Sequence, residues 1–497
     1  MVWRWQVVSC NKSIHFQALN GQRRRLDGLR RRHRERSAAW SYTGGDEAAL
    51  TRRNQELEEI GGELRREHQT FLELVDELGL RSRLLSPQAL ITAATRGLRP
   101  GGCAVMVAVT EAGSVALLLP QGGAVVPVDL AFDRTGMRAL FTNNDGTGWH
   151  DGYGAFRADL HATGGCGSAA GLAAWNACIA ATLEALWAPL MAPIDAALSA
   201  LGLSEGAEVT LVVPGQLSLL PLHAAGTRQN GRWHAFFDRW TVAYAPCLTF
   251  LAHRAERPAP LIEREERVLA VVDPLRDLGI CFSAAEAAFP PAAIETVAGG
   301  RATRARVLEE LPRATYACFD CHGVWAPGNS EESGLVLANR ERLTPGDILA
   351  TDLSGCRLAV LGACETALAS VHQTADEHQG LPMALLHAGA GAVAATFWPI
   401  FNTTAEAIVS RLFRVHRHHG LPPAAALRRV LLELRDGGGG AANANTDMSA
   451  QPLAAVWGDG IRTPAPARTE AEIAAVRELV ADWSQPIHWA IYGIFGG

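Results

Sequence analysis

The sequence predicts an α/β fold: a mostly parallel sheet flanked by helices, preceded by a helical N-terminal region and a smaller α+β region. Three observations predict it. From about residue 208, short apolar runs alternate with helical patterns. Residues 86–130 instead alternate apolar and polar positions between glycine-containing turns. Residues 22–80 are charged, with an apolar stripe at helical spacing. A chain of 497 residues exceeds one ordinary core, at a prior of about 150 residues per domain. The expected units are 1–84, 85–207 and 208–497, with 436–468 a flexible insertion rich in Gly, Ala, Asn and Pro.

The elements follow in order. Leu57, Leu64, Phe71 and Leu78 recur at seven, which suits a helical hairpin or a docking helix. The run from Arg23 to Arg36 has helical spacing and acidic neighbours, so it reads as a solvated helix face rather than a phosphate grip. Val105–Thr110, Ser114–Leu119 and Ala124–Val128, joined at Gly113 and Gly123, form a β-meander. Trp175, Ile179, Leu183, Leu186, Leu190, Ile194 and Leu198 then mark a long amphipathic helical tract. Strands are expected at Val209–Val213, Val268–Val272, Tyr316–Cys321, Leu358–Leu361, Ala392–Phe397 and Trp489–Phe495. Helical patterns lie between them at Ala284–Phe289, Ala302–Leu311, Leu381–His387, Ala405–Val415, Pro422–Leu434 and Glu470–Trp483.

Composition narrows the function. With 48% apolar residues and a net charge of −6, the chain has no general attraction for nucleic acid or anionic lipid. No uninterrupted apolar run reaches membrane-spanning length, and Arg4 interrupts the first apolar stretch, so a cytoplasmic protein is expected. Ten scattered cysteines point to reduced thiols. Lys12 is the only lysine while arginine abounds, a bias of GC-rich coding that lowers the meaning of arginine clusters.

Two segments carry the chemistry: Cys318-Phe-Asp-Cys321-His322-Gly323 and Leu361-Gly-Ala-Cys364-Glu365-Thr366. Each closes an apolar run that reads as a buried strand, and a parallel sheet delivers such strand ends to one carboxyl edge. A thiolate and an imidazole meeting there can cleave an amide by nucleophilic attack and protonation of the leaving amine. The helical pattern Glu365–Gln373 would add a positive N-terminal field that favours thiolate. Taken alone, a strand-end cysteine is usually a small buried hydrophobe and a lone histidine a satisfied polar residue. Cys318, Cys321 and Cys356 are read as core, and Glu365 and Thr366 as helix-start residues.

Other chemistries fit less well. Cys318-x-x-Cys321-His322 spells a haem-attachment motif, but covalent haem needs export and an accessible axial histidine. Zinc on Cys318, Cys321, His322 and Cys356 lacks a second paired ligand motif. A glutamine amidotransferase elbow would need glycine where Thr366 stands. No cofactor or metal is expected.

The ordered motifs resemble those of the CHAT domain, a caspase-like peptidase module related to separase, over residues 208–497. Pro214 to Ala225, Val242 to Leu248, Leu269 to Pro274, Ala285-Glu286 and Ala302-Thr303 match the approach to the histidine. Cys321-His322-Gly323, Gly362-Ala-Cys364-Glu365-Thr366, Asp376 to Leu381, Ala388-Gly389-Ala390, Phe397-Trp398-Pro399 and His488-Trp489-Ala490 follow. The resemblance implies a caspase-like sheet, a His322–Cys364 dyad and an oxyanion hole from the Gly323 and Cys364 N–H groups. Asp376 or Glu377 would line a pocket for a basic side chain before the scissile bond, or serve as a loop or helix cap. Residues 85–207 would be a degenerate caspase-like half.

Such peptidases cleave a partner protein on activation, including gasdermins and other effectors of bacterial defence encoded nearby. A sensor or regulatory protein would dock on the N-terminal helices. The alternative is a catalytically silent CHAT-like scaffold. Asn402, where aspartate is expected, and Asp320, a polar residue on a buried strand, depart from the pattern.

Overall fold

The computed structural model describes residues 87–110, 113–142, 148–165, 167–213, 215–256, 265–324, 333–368, 380–399, 401–437 and 469–497, with scattered positions between 25 and 73. The chain divides into two units, Met1–Gly97 with Leu248–Ala255, and Leu98–Cys247 with Glu256–Gly497. In the first unit the described positions between 25 and 73 are helical, and Arg32 of the arginine run pairs with Glu63 at 2.7 Å. The other positions of 1–84 lie outside the described residues.

In the second unit, apolar runs become strands that neighbours cover on both faces. The meander is β1 (Cys103–Thr110), β2 (Gly113–Pro120) and β3 (Val126–Leu130). It is followed by β4 (Glu208–Val212), the hairpin β5 (Gly226–Gln229) and β6 (Arg232–Ala235), and β7 (Thr241–Tyr244). Next come β8 (Val268–Val272), β9 (Ile294–Ala298), β10 (Tyr316–Asp320), β11 (His322–Val324), β12 (Gly334–Val336) and β13 (Arg342–Leu343). The series ends with β14 (Leu358–Leu361), β15 (Ala392–Thr396) and β16 (Tyr492–Gly496).

Eleven of these strands form one sheet in the order β3-β2-β1-β4-β7-β16-β15-β14-β10-β8-β9. Pairing is parallel except within the meander and between β15 and β16. Every residue of β4, β8, β10, β14 and β15 is buried, which is why β8 and β14 read as continuous apolar runs rather than alternating ones. Because β1 pairs with β4, Cys103 opposite Val209, the boundary expected at residue 208 falls inside one sheet.

Helices occur at Arg304–Glu310, Leu381–Ala388, Asn402–His419, Pro423–Asp436 and Glu470–Ala481, close to the positions the patterns indicated. Three expectations shift. Ala284–Ala287 makes only a 3-10 turn, and residues 486–489 form a helical turn that Pro486 opens, so the last strand starts at Tyr492. A helix at Trp149–Ala162 has weak periodicity in the sequence and was not expected. The insertion expected at 436–468 lies outside the described residues from 438 onward. The helical stretch Ala169–Ala200 is long and apolar enough to cross a membrane by length and composition. Its stripe from Leu172 through Trp175, Ile179 and Leu183 to Leu198 is buried in the core of the unit.

Candidate functional site

Register brings the two motif segments together. β10 and β14 are adjacent and parallel, with Tyr316 opposite Leu358 and Phe319 opposite Leu361. His322 and Cys364 each follow three residues after that last pair, at the same carboxyl edge, on strands about 4.8 Å apart. Past Asp320 the chain enters β11, which pairs with β12 in a separate three-stranded sheet.

Gly323 lies directly against the backbone of Cys364. A Cβ built there would stand 2.2 Å from the Cys364 carbonyl oxygen, so only glycine fits. The direction of its N–H follows from ladder parity. Leu337 N–H donates to Glu341 O, so Leu335 turns its polar groups toward β13 and Val336 turns them toward β11. The bonded pairs are then His322 with Val336 and Val324 with Gly334, and the Gly323 N–H points away from β12.

His322 is fully buried, and its Nε2 lies 2.8 Å from Oδ1 of Asp277. A carboxylate only accepts, so Nε2 donates, and in a neutral ring Nδ1 is then the acceptor. Nδ1 is buried and has no hydrogen-bond partner among the described residues. Asp277 was not singled out in the sequence because it stands 45 positions before the histidine, in a loop with no periodicity.

That loop is built by local hydrogen bonds. Asp273, left-handed at φ 38°, accepts from the backbone N–H groups of Asp277, Leu278 and Gly279. Its own N–H donates to Asp320 O. Asn402 donates its amide to Leu278 O at 3.0 Å, a bond the expected aspartate could not supply as a carboxylate. Asp320 accepts from Ser283 Oγ at 2.7 Å, and burial pushes its carboxyl up to about 6. Asn402 therefore secures the loop that carries Asp277, while the Asp320 side chain holds Ser283, which caps the turn at Ala284–Ala287.

The turn at Cys364 corrects one expectation. Residues 364–367 form a turn and Glu365 has a left-handed φ of 58°, so the expected helix does not start at Cys364, and the expected positions 369–373 lie outside the described residues. The turn is pinned to β15 instead. Thr396 Oγ1 donates to Ala363 O at 2.7 Å, Thr396 N–H donates to Thr366 Oγ1, and Ala367 N–H donates to Thr396 O. Glu365 and Thr366 are thus turn-fixing groups rather than helix starters.

Cys364 is 1% exposed. Cys318, Cys321 and Cys356 are buried core thiols whose ionisation burial makes harder, with Cys356 pushed up to about 12. No group of three His, Cys, Asp or Glu side chains able to hold a metal occurs among the described residues. Asp376 and Glu377 lie outside the described residues. His488 of the closing motif is buried between Thr404 and Leu479 O, its pKa depressed to about 4 by burial, and belongs to the core.

A mostly parallel sheet with a histidine-glycine strand end against a cysteine strand end is the arrangement of the caspase-like protease class. Residues 180–497 match the family model of the CHAT domain, and the chain belongs to that family. No curated protein matches the sequence. The structure aligns with two crystal structures of the Saccharomyces cerevisiae separase–securin complex, at 2.6 and 3.0 Å resolution, with TM-scores of 0.43 and 0.45 and 10% identity. Each alignment covers 82% of this chain but only 31% or 30% of the other, so the chain spans less than a third of that relative.

Proposed function

We propose that this chain is a cysteine endopeptidase that cleaves a partner protein with the His322–Cys364 dyad. The observation that supports the reading is the close approach of Gly323 to the Cys364 carbonyl, which brings the end of the histidine segment against the backbone of the cysteine segment. Cys364 Sγ passes its proton to His322 Nδ1 and attacks the scissile carbonyl carbon. The oxyanion is held by the Gly323 and Cys364 N–H groups. Losing one such donor typically costs about 3 kcal/mol of transition-state stabilisation. The C–N bond breaks as Nδ1–H protonates the departing amine. Water activated by His322 then hydrolyses the thioester and restores the thiol. In this mechanism Asp277 holds the ring's donor on Nε2, which leaves Nδ1 as the base.

By family membership the substrate class is a protein, with a gasdermin or another effector encoded nearby as the expected target in a bacterial defence or signalling system. The setting is cytoplasmic, a sensor docks on residues 1–84, and Asp376 or Glu377 selects a basic side chain. The rival reading, a silent scaffold, is favoured by one observation: His322 is 0% and Cys364 1% exposed, so a substrate must open the site before it reacts. Incubating the chain with the proteins encoded beside it separates the two. Cleavage by the wild type that is lost in Cys364→Ala and in His322→Ala supports the peptidase. Cleavage that survives either substitution rules out the dyad, and binding without cleavage favours the scaffold.

A further inference from the structure

The residue after the nucleophile is gripped from outside the matched family segment. Glu365 is 95% buried by side chain (5% exposed) and holds a left-handed backbone that a bulky residue keeps only when its surroundings impose it. Its Oε1 accepts a hydrogen bond from the Tyr153 hydroxyl and lies 3.5 Å from Nε of Arg157. Both partners stand on the helix Trp149–Ala162, four residues apart on one face, whereas the family match begins at residue 180. Burial and the neighbouring carboxylate hold the Tyr153 hydroxyl well above its usual pKa, so it stays a donor.

That helix is itself fixed to the catalytic edge by aromatic packing. The Tyr153 ring lies 5.3 Å from that of Trp175, and Phe156 stacks on Trp175 at 5.5 Å. Trp149 and Trp175 both meet Trp398, two residues beyond β15, at 6.1 and 6.0 Å. The turn bearing Cys364 is therefore held between two supports, the Thr366–Thr396 bonds to β15 on one side and Tyr153 with Arg157 on the other.

We propose that Tyr153 and Arg157 are positioning residues of the peptidase: through Glu365 they fix the turn that carries Cys364, and Arg157 offsets the carboxylate charge one residue from the thiol. The proposal rests on Cys364 being the nucleophile. The helix Trp149–Ala162 is then part of the working enzyme, and residues 180–497 alone lack one wall of its site. Without Arg157 the Glu365 carboxylate opposes thiolate formation at its neighbour, because a nearby like charge disfavours the charged form.

The test follows alkylation of Cys364 by iodoacetamide across pH in the full chain, with the modified peptide identified by mass. Arg157→Gln is expected to raise the pH midpoint by about one unit, which slows alkylation about tenfold below that midpoint. Arg157→Lys, which keeps the charge, and the double variant Arg157→Gln/Glu365→Gln, which removes both charges, are expected to bring the midpoint back toward wild type. Tyr153→Phe, which deletes one oxygen, is expected to lower kcat for peptide cleavage with KM retained. A reactive wild type whose midpoint is unchanged in Arg157→Gln, together with an unchanged kcat in Tyr153→Phe, overturns the positioning role and leaves the peptidase reading standing. A wild-type Cys364 unmodified at every pH, with no cleavage, overturns both.

Discussion

His322 donates from Nε2 to the carboxylate of Asp277 at 2.8 Å, and its Nδ1 is buried with no hydrogen-bond partner among the described residues. Asp277→Asn can offer its amide N–H to Nε2, which then becomes the acceptor and moves the ring proton to Nδ1, where it blocks acceptance from the thiol. We expect kcat to fall by about 10²-fold, within the usual range for general acid–base catalysis, with KM little changed. Steady-state kinetics on a cleaved peptide check this. An unchanged kcat means Asp277 does not set the tautomer.

Gly323 has no room for a side chain, since its Cβ would come within 2.2 Å of Cys364 O. In Gly323→Ala the two strand ends must separate. The expected result is a loss of activity of about 10²–10³-fold, from a displaced oxyanion donor. An overpacking cost of about 1–3 kcal/mol should accompany it. Kinetics and urea denaturation on the same sample measure both, and a fully active Gly323→Ala would remove glycine's role in the site.

Asn402 links the helix Asn402–His419 to the Asp277 loop through Leu278 O. Asn402→Asp replaces the donor by an acceptor that faces another acceptor, and should cost about 1–3 kcal/mol at pH 7. Protonation gives the new carboxyl a hydrogen to donate, so part of that loss should return near pH 4. Denaturation of variant and wild type at both pH values reads the difference, which should be larger at pH 7.

Asp320 supplies a pH dependence of stability with a definite sign. Its pKa is raised from 3.8 to about 6, first by burial and partly by the charge of Glu406, while Ser283 and Cys318 act in the opposite direction. Between those values the folded chain holds a proton that the unfolded chain has released. The contribution of this group therefore falls as pH rises from about 4 to about 6 and is constant above that. The span corresponds to about 3 kcal/mol at most. Asp320→Asn mimics the protonated form, so its stability relative to wild type should rise across that window. A flat difference between the two denaturation curves would contradict this.

The sequence announces what local periodicity encodes. Buried parallel strands such as Val268–Val272 and Leu358–Leu361 are uninterrupted apolar runs, and the His322 and Cys364 segments are legible because each ends such a run. β7 and β9 escape for different reasons. β7 opens on the polar Thr241, which leaves only Val242, Ala243 and Tyr244 as an apolar run, and β9 lies at the sheet edge with Glu295 and Thr296 breaking its apolar character. The turn at Cys364 reads as a helix because Glu365 to Gln373 has helical composition. The structure instead has a left-handed Glu365 at φ 58°, with tertiary bonds from Tyr153 to Glu365 and from Ala367 N–H to Thr396 O that no local pattern encodes. Asp277 and Tyr153 reach the site across 45 and 212 positions, to His322 and Glu365, and no spacing rule within one chain announces such partners.

In the proposed peptidase His322 and Cys364 act as one unit on one carbonyl. The most direct measurement of this is covalent capture of Cys364 by a peptide-based electrophile with a carbonyl at the scissile position, followed by intact mass and by mapping of the modified residue. The account predicts one adduct, on Cys364, whose formation slows by at least about 10²-fold in His322→Ala. Equal capture rates with and without the imidazole, or an adduct on another cysteine, would contradict it.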